Sequence, residues 1–103
     1  GAGAAIAVLG NPEVSDTWVE DCSIVMASMH LEASASGVCS CWVQGRMRTA
    51  ADGRSTQDFV AELLNVPKPW QLEAILSLGM PAEHPEPREF DKALMEKVHR
   101  ERF

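Results

Sequence analysis

The amino-acid sequence predicts a small α+β domain with the element order β-α-β-α-β, followed by a C-terminal arm and a short helix. Short apolar runs bounded by turn residues alternate with two segments that carry apolar residues at helical spacing. Glycine or proline follows each of these segments and marks its end. The C-terminal part of the chain is rich in proline, which disfavours regular structure. A length of 103 residues is enough for one domain with one modest core.

The first two elements are predicted from an apolar run and a long helical segment. Residues 4–9 are small and apolar, and the Gly-Asn-Pro sequence at 10–12 ends this strand with turn residues. A helix should then run from about residue 16 to residue 36, with Thr17 and Glu20 forming a capping box at its start. Apolar residues cover most of its circumference, so we expect it to be buried on several sides or to pack on a partner.

The second strand follows directly and carries two cysteines. Gly37 is suited to the left-handed position that ends a helix, and residues 38–43 have the short apolar pattern of a buried strand. Cys39 and Cys41 are two residues apart and therefore point to the same face. We expect them to pack as small buried side chains on a helix. The alternative is a metal or redox pair, with His30 as a further ligand.

A basic loop separates this strand from the second helix. Residues 46–54 contain Arg46, Arg48 and Arg54 together with an Asp-Gly turn pair. We expect a solvated loop, with an anion-binding site as the alternative.

The remaining core elements are a second helix and a third strand. Ser55 or Thr56 can cap the helix, whose apolar residues recur at helical spacing, and the Val-Pro-Lys-Pro sequence at 66–69 should end it. Residues 72–78 are predicted to form a strand that closes at Gly79.

The tail is predicted to be extended and then briefly helical. Three prolines, at positions 81, 85 and 87, exclude a regular helix or an inner strand there. Residues 91–102 should form a short helix with Leu94, Met95 and Val98 on one side. Because this helix has little local surface to pack on, we expect the tail to dock on a partner.

Composition and charge exclude several classes of function. The chain is 46% hydrophobic and 23% charged, which is ordinary for a globular domain. A net charge of −6 argues against binding to nucleic acid or to an anionic membrane, because both require a basic face. The apolar run at 4–9 is too short to span a bilayer. Three cysteines, an odd number, do not form a secreted disulfide framework, so we expect a cytoplasmic protein.

No catalytic constellation of side chains is visible in the sequence. It contains no nucleophile elbow, P-loop or dinucleotide-binding glycine motif, and its histidines lie on different predicted elements. We therefore predict no catalytic side chain and no metal ligand. Such a sequence is compatible with an enzyme whose cofactor carries the chemistry.

Five segments, in order along the chain, resemble motifs of one protein family. WVED at 18–21 is similar to the family's helix start, and GVCSCW at 37–42 is similar to its GLGSCW strand. ELLNVP at 62–67, ILSLGMPAE at 75–83 and EKVH at 96–99 are similar to its ELLGIP, ALGYPAE and closing EKVH sequences. The chain therefore resembles the nitroreductase family of FMN-dependent NAD(P)H oxidoreductases over nearly its whole length.

This resemblance implies a nitroreductase-like fold and hydride transfer from NAD(P)H through FMN to a nitro, quinone or similar acceptor. It also implies a homodimer in which residues 1–84 are the rear half of the core and residues 85–103 are an arm that packs on the partner subunit. The family's front half carries an Arg-x-x-Arg-type motif for the flavin phosphate, and nothing in this sequence matches it. We therefore expect a truncated chain that binds FMN weakly or not at all and is inactive alone.

The resemblance also indicates which residues would contact FMN. The turn after the GSCW-like strand would lie against the isoalloxazine and donate a backbone N–H to N5, and basic residues near the C-terminal arm would contact the phosphate. These residues are Val43, Gln44, Gly45, Arg46, Arg88 and Lys92. The chain departs from the family pattern at Cys39, where many members have glycine, and in its longer basic loop. The alternative to an enzyme is a non-catalytic dimerisation or interaction module that has lost flavin binding.

Overall fold

The computed structural model describes residues 2–103 and confirms the predicted α+β class and the order of the core elements. Three strands form one sheet, and two helices connect them. The elements are β1 (Ala4–Gly10), α1 (Trp18–Ala35), β2 (Cys39–Gln44), α2 (Thr56–Leu64), β3 (Gln71–Gly79) and a 3-10 helix (Lys92–Lys97).

The sheet has the order β1-β3-β2, and both pairs of strands are antiparallel. β3 is therefore the central strand, whereas β1 and β2 are both edge strands. α1 lies across one face and contacts all three strands, whereas α2 contacts only β3. The core lies between α1 and the sheet and consists of Val8, Cys22, Met26, Ala74 and Leu76, with Trp18, Met29 and Leu78 packed against it.

α1 is less buried than its composition suggested. Only Cys22 and Met26 of this helix are buried within the described chain, and Ile24, Val25 and Leu31 are exposed. The prediction of burial on several sides is therefore not realised within residues 2–103. The physical reason is that a single three-stranded sheet can cover only one side of a helix.

The helix ends follow local sequence signals in three cases out of four. Gly37 adopts a φ of +73° after α1, and the N–H of Val38 donates to the carbonyl of Ala33 at 2.8 Å, as expected for a glycine-ended helix. Ser55 caps α2 by accepting from the N–H of Asp58 at 3.0 Å. α2 then ends at a left-handed Asn65, slightly before the predicted proline sequence.

The predicted capping box at the start of α1 is wrong. Thr17 makes no side-chain hydrogen bond to the helix backbone, and its φ and ψ of −98° and 20° are not the extended values of a capping residue. Its hydroxyl instead donates to the carboxylate of Asp21 at 3.4 Å and shares a 3.1 Å hydrogen bond with the Ser15 hydroxyl. The side-chain oxygen therefore bonds to neighbouring side chains and not to the helix backbone.

The C-terminal tail has little regular structure. Residues 82–90 contain no helix or strand, as predicted, but the predicted helix at 91–102 is only a 3-10 helix at Lys92–Lys97. Its side chains are exposed, and no other helix or strand of the described chain contacts it. Without a packing surface, a segment this short lacks the tertiary contacts that stabilise an α-helix. No helix in residues 2–103 is long and apolar enough to cross a membrane.

Candidate functional site

The end of β2 is irregular at the turn that the resemblance places against the flavin ring. The backbone N–H groups of Gly45 and Arg46 both donate to the main-chain oxygen of Glu73, at 3.2 and 2.8 Å. Two residues on one strand thus face one residue on the other, which is the bonding pattern of a β-bulge. Pairing of β2 with β3 ends here, so the chain can turn away from the sheet.

β3 is irregular at the same residue on its other side. Val8 of β1 pairs with Ala74, but the next residue, Leu9, pairs with Leu72. Glu73 is therefore skipped in the pairing of β1 with β3. The pairing irregularities on both sides of the central strand coincide at Glu73.

The turn also contains two residues under tight steric or backbone constraint. A Cβ on Gly45 would lie 2.5 Å from Cδ2 and 2.9 Å from Cγ of Leu72, whose side chain is nearly fully buried. Met47 has a φ of +56°, in the left-handed region that non-glycine residues rarely adopt. Backbone strain of this kind persists only where surrounding contacts impose it, and it clusters at functional sites.

The Gln44 side chain is used inside the turn. Its Nε2 donates to the carbonyl of Arg46 at 3.3 Å and lies 3.5 Å from that of Glu73, while its Oε1 accepts from the indole N–H of Trp42 at 2.9 Å. The Gln44 backbone has a different role. In an antiparallel strand, the N–H groups of successive residues point to opposite sides. The N–H of Gly45 bonds to β3, so the N–H of Gln44 points to the open edge of β2.

A buried acid faces the basic residue of the turn. The carboxylate Oε2 of Glu73 lies 3.9 Å from Nε of Arg46, and the two side chains are 5% and 41% exposed. Within the described chain, this Oε2 is buried and has no hydrogen-bond partner. The pKa of the nearby Cys22 thiol is raised by burial and, secondarily, by the negative charges of Glu73 and Asp21.

In the basic loop, Arg54 is neutralised by two acids, Asp52 of the loop and Glu62 of α2. Arg54 bonds to Asp52 at 2.7 Å and also pairs with Glu62. The hydrogen bond to Glu62, and secondarily that to Asp52, raises the pKa of Arg54. The same side-chain hydrogen bond from Arg54 lowers the pKa of Asp52. Arg54 therefore has no free charge for an added anion.

The prediction that Cys39 and Cys41 are buried against a helix is wrong. Both thiols are exposed, and the intervening Ser40 bonds to Nδ1 of His30 on α1 at 2.6 Å. Strand alternation therefore places Ser40 on the α1 face and both cysteines on the opposite face. His30 is thus separated from the cysteines by the sheet. Within residues 2–103, no three His, Cys, Asp or Glu side chains are grouped to hold a metal ion.

The structure brings only part of the predicted flavin site together. Val43, Gln44, Gly45 and Arg46 are contiguous at the end of β2, whereas Lys92 lies in the exposed 3-10 helix. Neither Arg88 nor Lys92 makes an ion pair or a side-chain hydrogen bond within the described chain, and the 3-10 helix that carries Lys92 contacts no strand of the sheet.

Sequence reasoning missed Glu73. The only available signal was one acid among the apolar residues of β3, whose sequence is QLEAILSLG.

The turn fits the ring side of a flavin better than its phosphate side. It offers a backbone donor at an open strand edge, the half-exposed apolar side chain of Val43 and the guanidinium of Arg46. These groups match a flat, largely apolar ring with acceptor atoms on its rim. A phosphate needs several converging donors, and within residues 2–103 only Arg46 among the predicted cations belongs to the turn.

Comparison with known proteins identifies the family to which this chain belongs. The sequence profile described as the nitroreductase family matches residues 2–80. The chain belongs to the nitroreductase family, which confirms the resemblance seen in its motifs.

Individual relatives agree with this assignment. An FMN-dependent nitroreductase from Clostridium difficile R20291 is 33% identical and superposes with a TM-score of 0.86, covering 99% of this chain and 59% of that one. A protein from Archaeoglobus fulgidus assigned to the NADH dehydrogenases/NAD(P)H nitroreductases is 30% identical over 107 residues, covering 99% of this chain and 59% of its own length. A Bacteroides thetaiotaomicron structure, 22% identical with a TM-score of 0.82, shows the same fold. The chain thus spans well under two thirds of the length of these relatives.

Proposed function

We propose that this chain carries the ring-side part of an FMN site in an NAD(P)H-dependent oxidoreductase. The overall reaction would transfer hydride from NADH or NADPH to FMN and then to a nitro, quinone or similar electron-poor acceptor. One observation supports this most strongly. The bulge at Gly45 and Arg46, the left-handed Met47 and the buried Glu73 all lie in one turn or directly against it. Departures from regular structure concentrate at functional sites.

The residues of this turn would bind and orient the ring without exchanging a proton. Bound FMN would supply the hydride-accepting N5 atom. The backbone N–H of Gln44 at the open edge of β2 would be a donor toward the ring, and Val43 would offer an apolar contact. Arg46 would place positive charge near the ring, where it stabilises added negative charge. A backbone donor and an arginine keep their protonation state across the ordinary pH range, so their effect would not depend on pH.

The rest of the site is proposed to come from elsewhere. We propose that residues 1–84 act as the rear half of a core and that residues 85–103 are an arm that packs on a partner subunit in a homodimer. Arg88 and Lys92 on that arm would approach the flavin phosphate only after the arm has docked. A basic motif of the Arg-x-x-Arg type, absent from this sequence, would complete the phosphate site.

The test is an FMN titration, followed by quenching of flavin fluorescence, on the 103-residue chain and on the complete product of the open reading frame that encodes it. The chain alone should bind with a dissociation constant above about 1 μM, and the complete product should be yellow and oxidise NADH or NADPH with a quinone acceptor. Arg46→Gln should weaken binding by the complete product, and Arg48→Gln, at an exposed residue of the same loop, is the control.

Two results would contradict the proposal. A complete product that is colourless and does not bind added FMN would favour the interaction module. Equal FMN affinity of the Arg46→Gln and Arg48→Gln variants would remove Arg46 from the site.

A further inference from the structure

We propose that Glu73 is a positioning residue that holds the ring-side turn in place through Arg46, and that it does so at a cost in folding stability. This inference rests on the proposed function of the turn. Glu73 itself is buried in the central strand, so its influence on a ligand would be indirect.

The main chain of Glu73 already holds the turn by hydrogen bonds. Its carbonyl oxygen accepts from the backbone N–H groups of Gly45 and Arg46, and Nε2 of Gln44 lies 3.5 Å from it. The turn is thus fastened to one residue of the central strand. On the other side of β3, the register shift leaves Glu73 without a β1 partner.

The side chain of Glu73 is not explained by packing. The residue is only 4% exposed, so its acidic side chain loses most of its hydration. One carboxylate oxygen has no hydrogen-bond partner within residues 2–103, and the 3.9 Å separation from Nε of Arg46 is too long for a hydrogen bond. A buried charge with incomplete partners generally destabilises a fold, and an apolar replacement is often neutral or stabilising.

The carboxylate acts on Arg46 through its charge. Its negative charge draws the guanidinium inward, so that the backbone of Arg46 faces β3 and its N–H can reach the Glu73 carbonyl. The following residue, Met47, then takes its left-handed conformation. Without the carboxylate, the guanidinium would be free to move into water, and the strain at Met47 would favour a different turn. The edge donor of Gln44 would move with it.

The first measurement compares Glu73→Gln and Glu73→Leu with the wild-type chain by urea unfolding and by NMR. If Glu73 positions the turn, the unfolding free energy at pH 7 stays equal or rises. The amide signals of Arg46 and Met47 and the indole N–H signal of Trp42 shift, and the Arg46 amide exchanges at least about tenfold faster with solvent. Glu62→Gln is the matched control, because it breaks an exposed glutamate–arginine pair with Arg54 and should change none of these signals.

A purely structural role predicts a different result. If both Glu73 variants lose stability while the turn signals stay in place, the proposal is wrong, and it is equally wrong if no property changes. Arg46→Gln must also reproduce the altered turn signals. In the double variant Glu73→Gln/Arg46→Gln, the turn signals and the unfolding free energy should differ little from those of either single variant, since both substitutions remove the same interaction. Additive effects would overturn the proposal.

FMN binding to the complete gene product separates this proposal from the one on which it rests. If the wild-type protein binds no FMN, the proposed function fails, and the NMR comparison still decides whether Glu73 positions the turn. If the wild-type protein binds FMN, Glu73→Gln should weaken the affinity about tenfold, equivalent to roughly 1.4 kcal/mol. If Glu73→Gln rearranges the turn but leaves the FMN affinity unchanged, positioning by Glu73 does not contribute to FMN binding.

Discussion

Gly45 and Leu72 are packed so closely that the space for a side chain on Gly45 is already occupied. An added Cβ would meet Cδ2 of Leu72 at 2.5 Å, and the carbonyl of Glu73 lies 3.4 Å from the same position. Leu72 cannot easily withdraw because its own side chain is 2% exposed. This contact joins the candidate flavin turn to the central strand.

Gly45→Ala should destabilise the chain by roughly 1–3 kcal/mol because it overpacks a buried contact. The measurement is the free energy of unfolding in urea. Gly3→Ala is the control, since a Cβ at Gly3 meets no atom within 4 Å. The double variant Gly45→Ala/Leu72→Val should lose less unfolding free energy than the sum of the losses in the two single variants. Strict additivity would show that the two residues do not compete for space.

The two helix starts should respond differently to loss of a hydroxyl. Ser55→Ala should cost about 1 kcal/mol of unfolding free energy, because Ser55 accepts from the N–H of Asp58 and also bonds to its carboxylate at 2.7 Å. Thr17→Ala should cost clearly less, because Thr17 makes no hydrogen bond to the helix backbone. Equal losses in the two variants would contradict this description of α1.

Stability should fall at alkaline pH because of Cys22. Burial raises the pKa of this thiol above its ordinary value of about 8.5, so the folded state keeps the proton after the unfolded state has lost it. The stabilisation is complete below that value and is lost as pH rises through the higher pKa of the folded state. Unfolding free energies measured from pH 7 to pH 10 should therefore decline more steeply for the wild type than for Cys22→Ala. Parallel curves would show that Cys22 does not contribute.

Thiol reactivity provides a second check on Cys22. Iodoacetamide should modify the exposed Cys39 and Cys41 in the native chain and should reach the buried Cys22 only after unfolding. Mass spectrometry of the labelled chain would show this order. Rapid native labelling of Cys22 would contradict its burial.

Removal of residues 85–103 tests the proposed arm. The 3-10 helix of the tail makes no contact with the helices and strands of the core, so truncation after His84 should leave the urea midpoint of the core nearly unchanged. It should reduce dimerisation, measured by sedimentation, because Phe90, Leu94, Met95 and Val98 are exposed apolar residues that would be buried on a partner. A full chain that sediments as a stable monomer at micromolar concentration, or a truncated chain with unchanged association, would count against the arm.

The sequence by itself was sufficient where a structure depends on residues within one turn of each other. The cap at Ser55 and the left-handed Gly37 were predictable because each involves neighbours a few residues away. The three strands and both core helices were predictable from the spacing of their apolar residues. The family was recognisable because several local motifs occur in the same order.

Only the tertiary structure decided which side chains meet across the sheet. The exposed cysteines and the Ser40–His30 contact depend on which face of β2 meets α1. The burial of Glu73 depends on its place in the central strand, where two register irregularities coincide. An irregularity of one residue changes which side chains face each other, and apolar spacing carries no record of it. The turn was therefore visible in the sequence, but the buried acid that holds it became visible only when β2 and β1 were placed on either side of β3.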